Sequence, residues 1–339
     1  MMRRPLALLV VAMGVTACAR APSIRVAPDF GAPRDGVFYG PEPVVTSPDD
    51  ELLPSIAMRQ GEVAYAAKSA GNLDIFVRPV LGGAPQRLTT SPTDDTDPTF
   101  SPEGTVIAWV SQAEDIKGDV WLMSAAGGAQ RRLTGPETAD RAPAWSADGT
   151  ALYFTARAPG RGKERIDVIT LADGARRTVL ENAWDAAPSP DGRFLFYVTL
   201  DGAQRSRIFA LRLRDGKRVA TTDGAYVEAL PRVLVTPQGL RLVFVRFVDD
   251  ANDDGRANAD DVPSLWSVLV DESLFDGAAA QVATPLTAGD AGEIFVAVAG
   301  NWLAYTTQAG QDLEIYALPL SGVIATTATA DAVLAAARA

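Results

Sequence analysis

Residues 97–110 read "DPTFSPEGTVIAWV": a short extended run, a Ser-Pro-Glu-Gly turn, and an apolar run with an aromatic inside it. Proline presets φ at the second turn position and glycine supplies the bend, so the segment reads as two antiparallel strands joined by a tight turn. The same design recurs along the chain. Ser146-Ala147-Asp148-Gly149 precedes "TALYFT", Ser189-Pro190-Asp191-Gly192 precedes "RFLFYV", and Thr236-Pro237-Gln238-Gly239 precedes "LRLVFV". Weaker copies are Arg59-Gln60-Gly61 before "EVAYAA" and Ala299-Gly300-Asn301 before "WLAYTT", which makes six.

Each copy is followed by a second apolar run, such as "LDIFVRPVLGG", "GDVWLMSAAGG" or "SRIFALRLRDG", and often by a third, such as "PQRLTT" or "QRRLTG". Each unit is therefore three or four short antiparallel strands. The turn glycines Gly61, Gly104, Gly149, Gly192, Gly239 and Gly300 lie 43, 45, 43, 47 and 61 residues apart. A period of roughly 40–50 residues per four-stranded unit is that of propeller blades, whereas helical repeats are shorter or lack such a turn. The expected fold is all-β, a six-bladed β-propeller of four-stranded antiparallel blades over residues 51–339, with nothing left over for a second domain.

The stretch "DPTFSPEGTVIAWVSQ…GDVWLMSAAGGAQRRLT" resembles the WD40-like repeats of the TolB-type β-propeller family, and the resemblance extends over residues 51 to about 320. Asp97-Pro98 and Ala142-Pro143 match that family's opening of the first strand, while blade four departs from it with Asp185-Ala186-Ala187-Pro188. The resemblance implies a six-bladed, periplasm-facing protein with a non-enzymatic binding role. The recurrent aromatics Tyr65, Trp109, Tyr153, Phe196, Phe244 and Tyr305 read as packing between blades rather than as a stacking ladder for bases or sugars. The serines of the turns read as hairpin chemistry, not as nucleophiles.

The chain opens "MMRRPLALLVVAMGVTACARAPS". Arg3 and Arg4 make a basic start and Leu6 to Val15 an apolar run too short for a permanent membrane span, which is a secretory signal peptide over residues 1–17. Val15-Thr16-Ala17-Cys18 resembles the bacterial lipobox, and Cys18 is the only cysteine, so it has no internal disulfide partner. Cys18 is the expected lipidation site. By the same resemblance Ala19 favours sorting to the outer membrane, with the protein anchored there and facing the periplasm. Residues 18–50, rich in Pro, Gly and Asp, read as a tether, although "EPVV" within it could lend a strand to the folded body.

The chain has no histidine, which removes the commonest general base and every Ser-His or Cys-His pair. No phosphate loop, dinucleotide fingerprint or nucleophile elbow is present. A carboxylate-only enzyme is still conceivable, because two acids suffice for glycoside hydrolysis. Removing residues 1–17 takes away two arginines and no acids, moving the formal charge from −11 to −13. So acidic a chain points away from nucleic acid and toward neutral or basic partners in the envelope.

The interval from Gly239 to Gly300 exceeds its neighbours by about 16 residues, the size of one inserted calcium loop, and "VDDANDDGRANADDV" (248–262) lies within it. Asp250, Asn252, Asp254, Asn258 and Asp261 fall at positions 1, 3, 5, 9 and 12 of a calcium loop, with Gly255 at the turn and Arg256 offering its carbonyl. The terminal Asp and the lack of flanking helices resemble dockerin- or thrombospondin-type loops. The segment at 249–262 is thus either a structural Ca2+ site, with affinity on the order of 10⁻⁴ to 10⁻³ M, or a solvated acidic tip. Propeller geometry puts it on the same face as the links between blades. That face would also carry Asp94, Asp95, Asp97, Glu137, Asp140, Glu181, Asp185, Asp223, Glu228, Asp290 and Glu293, a strongly acidic surface for a basic partner.

These features lead to the expectation of a lipid-anchored envelope protein that uses its propeller to bind or scaffold other proteins. The alternative is a calcium-dependent propeller hydrolase or lyase with carboxylates converging in the central channel. Small or apolar fill of that channel would favour the binding module.

Overall fold

Alternating apolar runs punctuated by Ser-Pro-x-Gly turns fold as antiparallel meanders, and a computed structural model shows six of them. It describes residues 42–45 and 50–319, apart from 58–60, 81–82, 161, 203–204, 223, 225, 237, 248–261, 281, 288–291, 300–301 and 310–311. Blade one is β2 to β5 (Glu51–Ala57, Glu62–Ser69, Asn72–Pro79, Gln86–Arg87) and blade two β6 to β9 (Asp95–Phe100, Val106–Ser111, Asp119–Ser124, Arg131–Arg132). Blade three is β10 to β13 (Ala139–Trp145, Ala151–Arg157, Glu164–Thr170, Arg176–Glu181). Blade four is β14 to β17 (Ala183–Pro188, Phe194–Leu200, Ser206–Arg212, Arg218–Ala220). Blade five is β18 to β21 (Val227–Thr236, Gly239–Phe247, Pro263–Val270, Thr284–Pro285).

Blade six is built differently. Its inner three strands are β22 (Ile294–Ala299), β23 (Trp302–Ala309) and β24 (Asp312–Pro319), and its outer strand is β1, Glu42–Val45. β1 pairs antiparallel with β24, Glu42 opposite Ala317 and Val45 opposite Ile315. The "EPVV" stretch thus closes the ring, so residues 42–45 of the expected tether belong to the folded body. Neighbouring blades touch through their first strands all the way round, β22 against β2 included.

The six recurrent aromatics are buried, as expected of interblade packing: Trp109, Phe196 and Phe244 are essentially inaccessible, and Tyr65, Tyr153 and Tyr305 nearly so. The turns hold themselves. In blade four Ser189 Oγ donates to Asp191 Oδ1 at 2.6 Å and accepts from Phe194 N at 2.9 Å, while Gly192 N donates to Ser189 O. Gly192 sits at φ +73, a region that a side chain adopts at a cost. Outer strands are clipped on by charge: in the two-residue β5 and β9 Arg87 pairs with Asp74 at 2.6 Å and Arg132 with Asp119 at 2.5 Å, and at the start of the six-residue β13 Arg176 pairs with Asp167 at 2.8 Å.

Blade five carries its extra length in two places rather than one. Residues 248–262 separate β19 from β20, and residues 271–283 separate β20 from β21, where five or six residues suffice in blades one to four. The second insertion contains a short 3-10 helix, Glu272–Asp276, capped by Asp271, whose side chain accepts from Ser273 N at 2.7 Å, and ended by Gly277 at φ 95. Its Phe275 is fully buried and stacks on Phe194 of blade four, with ring centroids 5.3 Å apart. Glu272 accepts from Arg212 at 3.0 Å, and Lys217 reaches the Phe275 carbonyl, so the helix clasps blades four and five together.

Candidate functional site in the central channel

The first strand of every blade runs along the central channel, and each carries one bulge. The register slips between Leu52 and Ser55, Thr96 and Thr99, Arg141 and Ala144, Trp184 and Ala187, Ala229 and Arg232, and Ile294 and Ala297. At each slip one residue is left-handed: Leu53, Asp97, Ala142, Asp185, Leu230 and Phe295, with φ between 49 and 56. An extra residue in one strand of a pair turns its side chain out of the ladder. Here the bulge residues ring the channel, a cavity of about 670 Å³ whose wall also includes the Ser101–Gly104, Ser146–Ala147 and Ser189–Pro190 turns at one end.

Most of the lining is small or apolar, among it Leu53, Ala142, Ala186, Leu230, Phe295 and Ala297. Four charged residues line it: Asp97, Asp185 and Arg232 near the bulges, and Glu103 in the Ser101–Gly104 turn. Asp185 is 2% exposed; its Oδ1 accepts from Arg141 Nη1 at 3.0 Å and its amide donates to Thr155 Oγ1 at 3.0 Å, while Oδ2 is shut off from solvent with no hydrogen-bond partner. Arg141 is held on its other side by Glu164 at 2.9 Å. Burial works against the Arg141 charge, but Asp185 and Glu164 outweigh it and strengthen its hold on the proton. Burial pushes the Asp97 carboxyl above the usual aspartate range; Arg141 opposes that shift and Asp185 adds to it. Burial lowers the Arg232 pKa, against the pull of Asp185 and Asp97.

The sequence-derived acidic face is partly overturned. Asp95, Asp140, Glu228 and Glu293 are buried, each two residues before its blade's left-handed residue, as is Glu51 in blade one. They serve as joints between strands and blades: Trp109 Nε1 donates to Asp95 at 3.3 Å, Thr138 Oγ1 to Asp140 at 2.6 Å, and Arg246 Nη2 to Glu228 at 2.7 Å. Asp97 and Asp185 line the channel instead of the rim. A charge with a buried partner or a channel to face has no reason to reach the rim, so of that list only Asp94, Glu137 and Glu181 remain at the surface among the described residues.

Asp250, Asn252, Asp254, Arg256, Asn258, Asp261 and Cys18 lie outside the described residues. The strands flanking the candidate calcium loop are in register, with Phe247 opposite Pro263, which holds the ends of the segment at neighbouring-strand spacing. Among the described residues no group of three or more acids or thiols is arranged to hold a metal. Sequence reasoning did not single out Arg141, Asp185 or Arg232 as a cluster. A signal existed: Asp97, Asp185 and Arg232 each stand seven residues before their turn glycine, Gly104, Gly192 and Gly239. What the sequence lacked was the bulge that points them inward.

Residues 50–208 match the sequence profile of the Tricorn protease N-terminal β-propeller domain. No curated protein sequence gives a significant match. Among solved structures, the chain is similar to a protein assigned as TolB from Agrobacterium tumefaciens (TM-score 0.59, 17% identity, covering 81% of this chain and 92% of that one). It is also similar to TolB from Acinetobacter baumannii (0.55, 16%, 78% and 65%) and to oligogalacturonate lyase from Vibrio parahaemolyticus (0.56, 9%, 84% and 94%). At these identities the likeness concerns the six-bladed fold.

Proposed function

We propose that this chain is a lipid-anchored envelope protein whose propeller binds or scaffolds other proteins, with a structural Ca2+ ion in the blade-five loop. The observation that carries the reading is the fill of the channel: small and apolar residues dominate it, and Asp185, the most deeply buried of its acids, is tied to Arg141. A general acid and base must be free to exchange protons with substrate, and an arginine-bound carboxylate is poorly suited to that. The lipobox-like Val15–Cys18 supports the anchor, and the similarity in fold to TolB structures supports a place in the periplasm. The partner surface is the outer part of the face that bears the links between blades, with Asp94, Glu137 and Glu181 as its accessible acids and a basic protein as its complement.

The test is recovery of partners from envelope extract by the lipidated chain, with and without a calcium chelator. A specific partner whose capture weakens with added salt and drops in a Glu137→Lys/Glu181→Lys variant supports the reading; capture indifferent to salt and to both reversals overturns the acidic-face assignment. Cys18→Ser moving the protein from the membrane to the soluble fraction supports the anchor, and unchanged membrane association refutes it.

A further inference from the structure

At the level of the bulges the channel is charged on one side and apolar on the other. Blades six and one contribute Phe295 and Leu53, whereas blades two, four and five contribute Asp97, Asp185 and Arg232. The architecture does not require these charges. The left-handed position accepts Leu, Ala and Phe in the other four blades, so an aspartate's tolerance of φ near 50 does not explain Asp97 or Asp185. The position two residues beyond the bulge, Arg232 in blade five, is Ser55, Thr99, Ala144, Ala187 or Ala297 elsewhere. Asp185 is held by Arg141, but Asp97 and Arg232 are poorly matched by the protein itself. Arg232 donates from Nη1 to its neighbour's carbonyl, Pro231 O, at 2.8 Å, and no ion pair joins it to a carboxylate among the described residues. Asp97 accepts from Thr96 Oγ1 at 3.5 Å and from the Ala142 backbone, with no ion pair among the described residues.

The ring order explains why Asp97 and Arg232 do not pair with each other. Contacts run from each blade to the next around a closed circle of six, which sets blades two and five opposite one another. Opposite charges therefore face each other across an open space, and buried charges left without partners are costly. A bare cation at Asp97 would leave Arg232 unmatched, and a bare anion at Arg232 would leave Asp97 unmatched. A molecule with both charges, long enough to span the channel, satisfies Asp97 and Arg232 together. A volume of about 670 Å³ lies in the range of small-molecule sites.

We propose that the central channel binds a small zwitterion, an apolar amino acid or short peptide, with its ammonium at Asp97, its carboxylate at Arg232, and its apolar body against Leu53 and Phe295. Guanidinium and carboxylate make paired hydrogen bonds, and an ammonium beside Asp97 gives that carboxylate the opposite charge it lacks. The site does not rest on the partner-docking reading, which concerns the outside of the ring.

The test is calorimetric titration of the full chain with leucine, dileucine and trileucine, a series that varies the distance between the two charges. Saturable binding by at least one member is expected, weakened about tenfold or more by Arg232→Gln and by Asp97→Asn. The same loss is expected on unaltered protein when that ligand is replaced by its N-acetyl or C-terminal amide form, a comparison that stands even if a variant fails to fold. No saturable binding by any of the three, equal binding of the blocked forms, or variants that fold and bind like the parent would overturn the proposal.

Discussion

Two residues show opposite uses of buried charge. Asp95 accepts from Trp109 Nε1, and its burial raises the carboxyl above the usual aspartate range, with hydrogen bonds from the neutral donors Ser111, Thr89 and Trp109 working the other way. The folded state thus holds this proton more tightly than the unfolded chain does, so its favourable contribution is present below the ordinary aspartate pKa and is lost as pH rises through the folded value. Asp95→Asn is expected to melt at a higher temperature than the parent at pH 7, and at the same temperature below about pH 4. Thermal scans across that range check it, and a lower melting temperature at pH 7 would contradict it. Arg141 is the reverse case, one guanidinium bonded to both Asp185 and Glu164. Arg141→Ala strands a buried carboxylate and is expected to cost about 3–5 kcal/mol in urea unfolding.

At the scale of elements, the ring depends on a four-residue strand at its closure. β1 covers β24, where Ile315 and Ala317 are buried, and without it that strand would present an unpaired edge. Two truncations test this role: a chain beginning at residue 42 should melt like one beginning at residue 18, whereas one beginning at 46 should melt lower by about 5 °C or more and self-associate on gel filtration. The 3-10 helix of blade five makes a comparable joint. Phe275 fills the seam against Phe194, so Phe275→Ala is expected to cost about 3–5 kcal/mol of stability, measured by denaturant unfolding. The helix was legible in principle from "DESLFDG", an Asp cap followed six residues later by a stop glycine, but a single turn has too little periodicity to stand out from a loop.

For the whole molecule, the blade-five loop 248–262 joins strands held in register within a closed ring, so an ion gathering its acids would stabilise the folded state as a unit. Calcium at ten times its dissociation constant is expected to add about 1.4 kcal/mol. Chelator should reverse the gain and Asp250→Ala should abolish it; scanning calorimetry showing the same melting temperature with and without calcium would leave the loop as a solvated tip.

The sequence by itself determined the fold, because turn chemistry and an apolar period are local properties: "DPTFSPEGTVIAWV" and its copies specify six meanders, their length and their aromatic seams. Its absent histidine and lone Cys18 likewise narrowed the chemistry without any coordinates. Only the tertiary structure decided where the acids point. Asp95 and Asp97 stand two residues apart in one strand, yet one is sealed in a joint beside Trp109 and the other faces the channel, because a bulge whose effect depends on the neighbouring strand turns the second inward. The pairing of Glu42–Val45 with the last blade, and the opposition of Asp97 to Arg232, join residues over a hundred positions apart, and the closing of the ring brings them into one place.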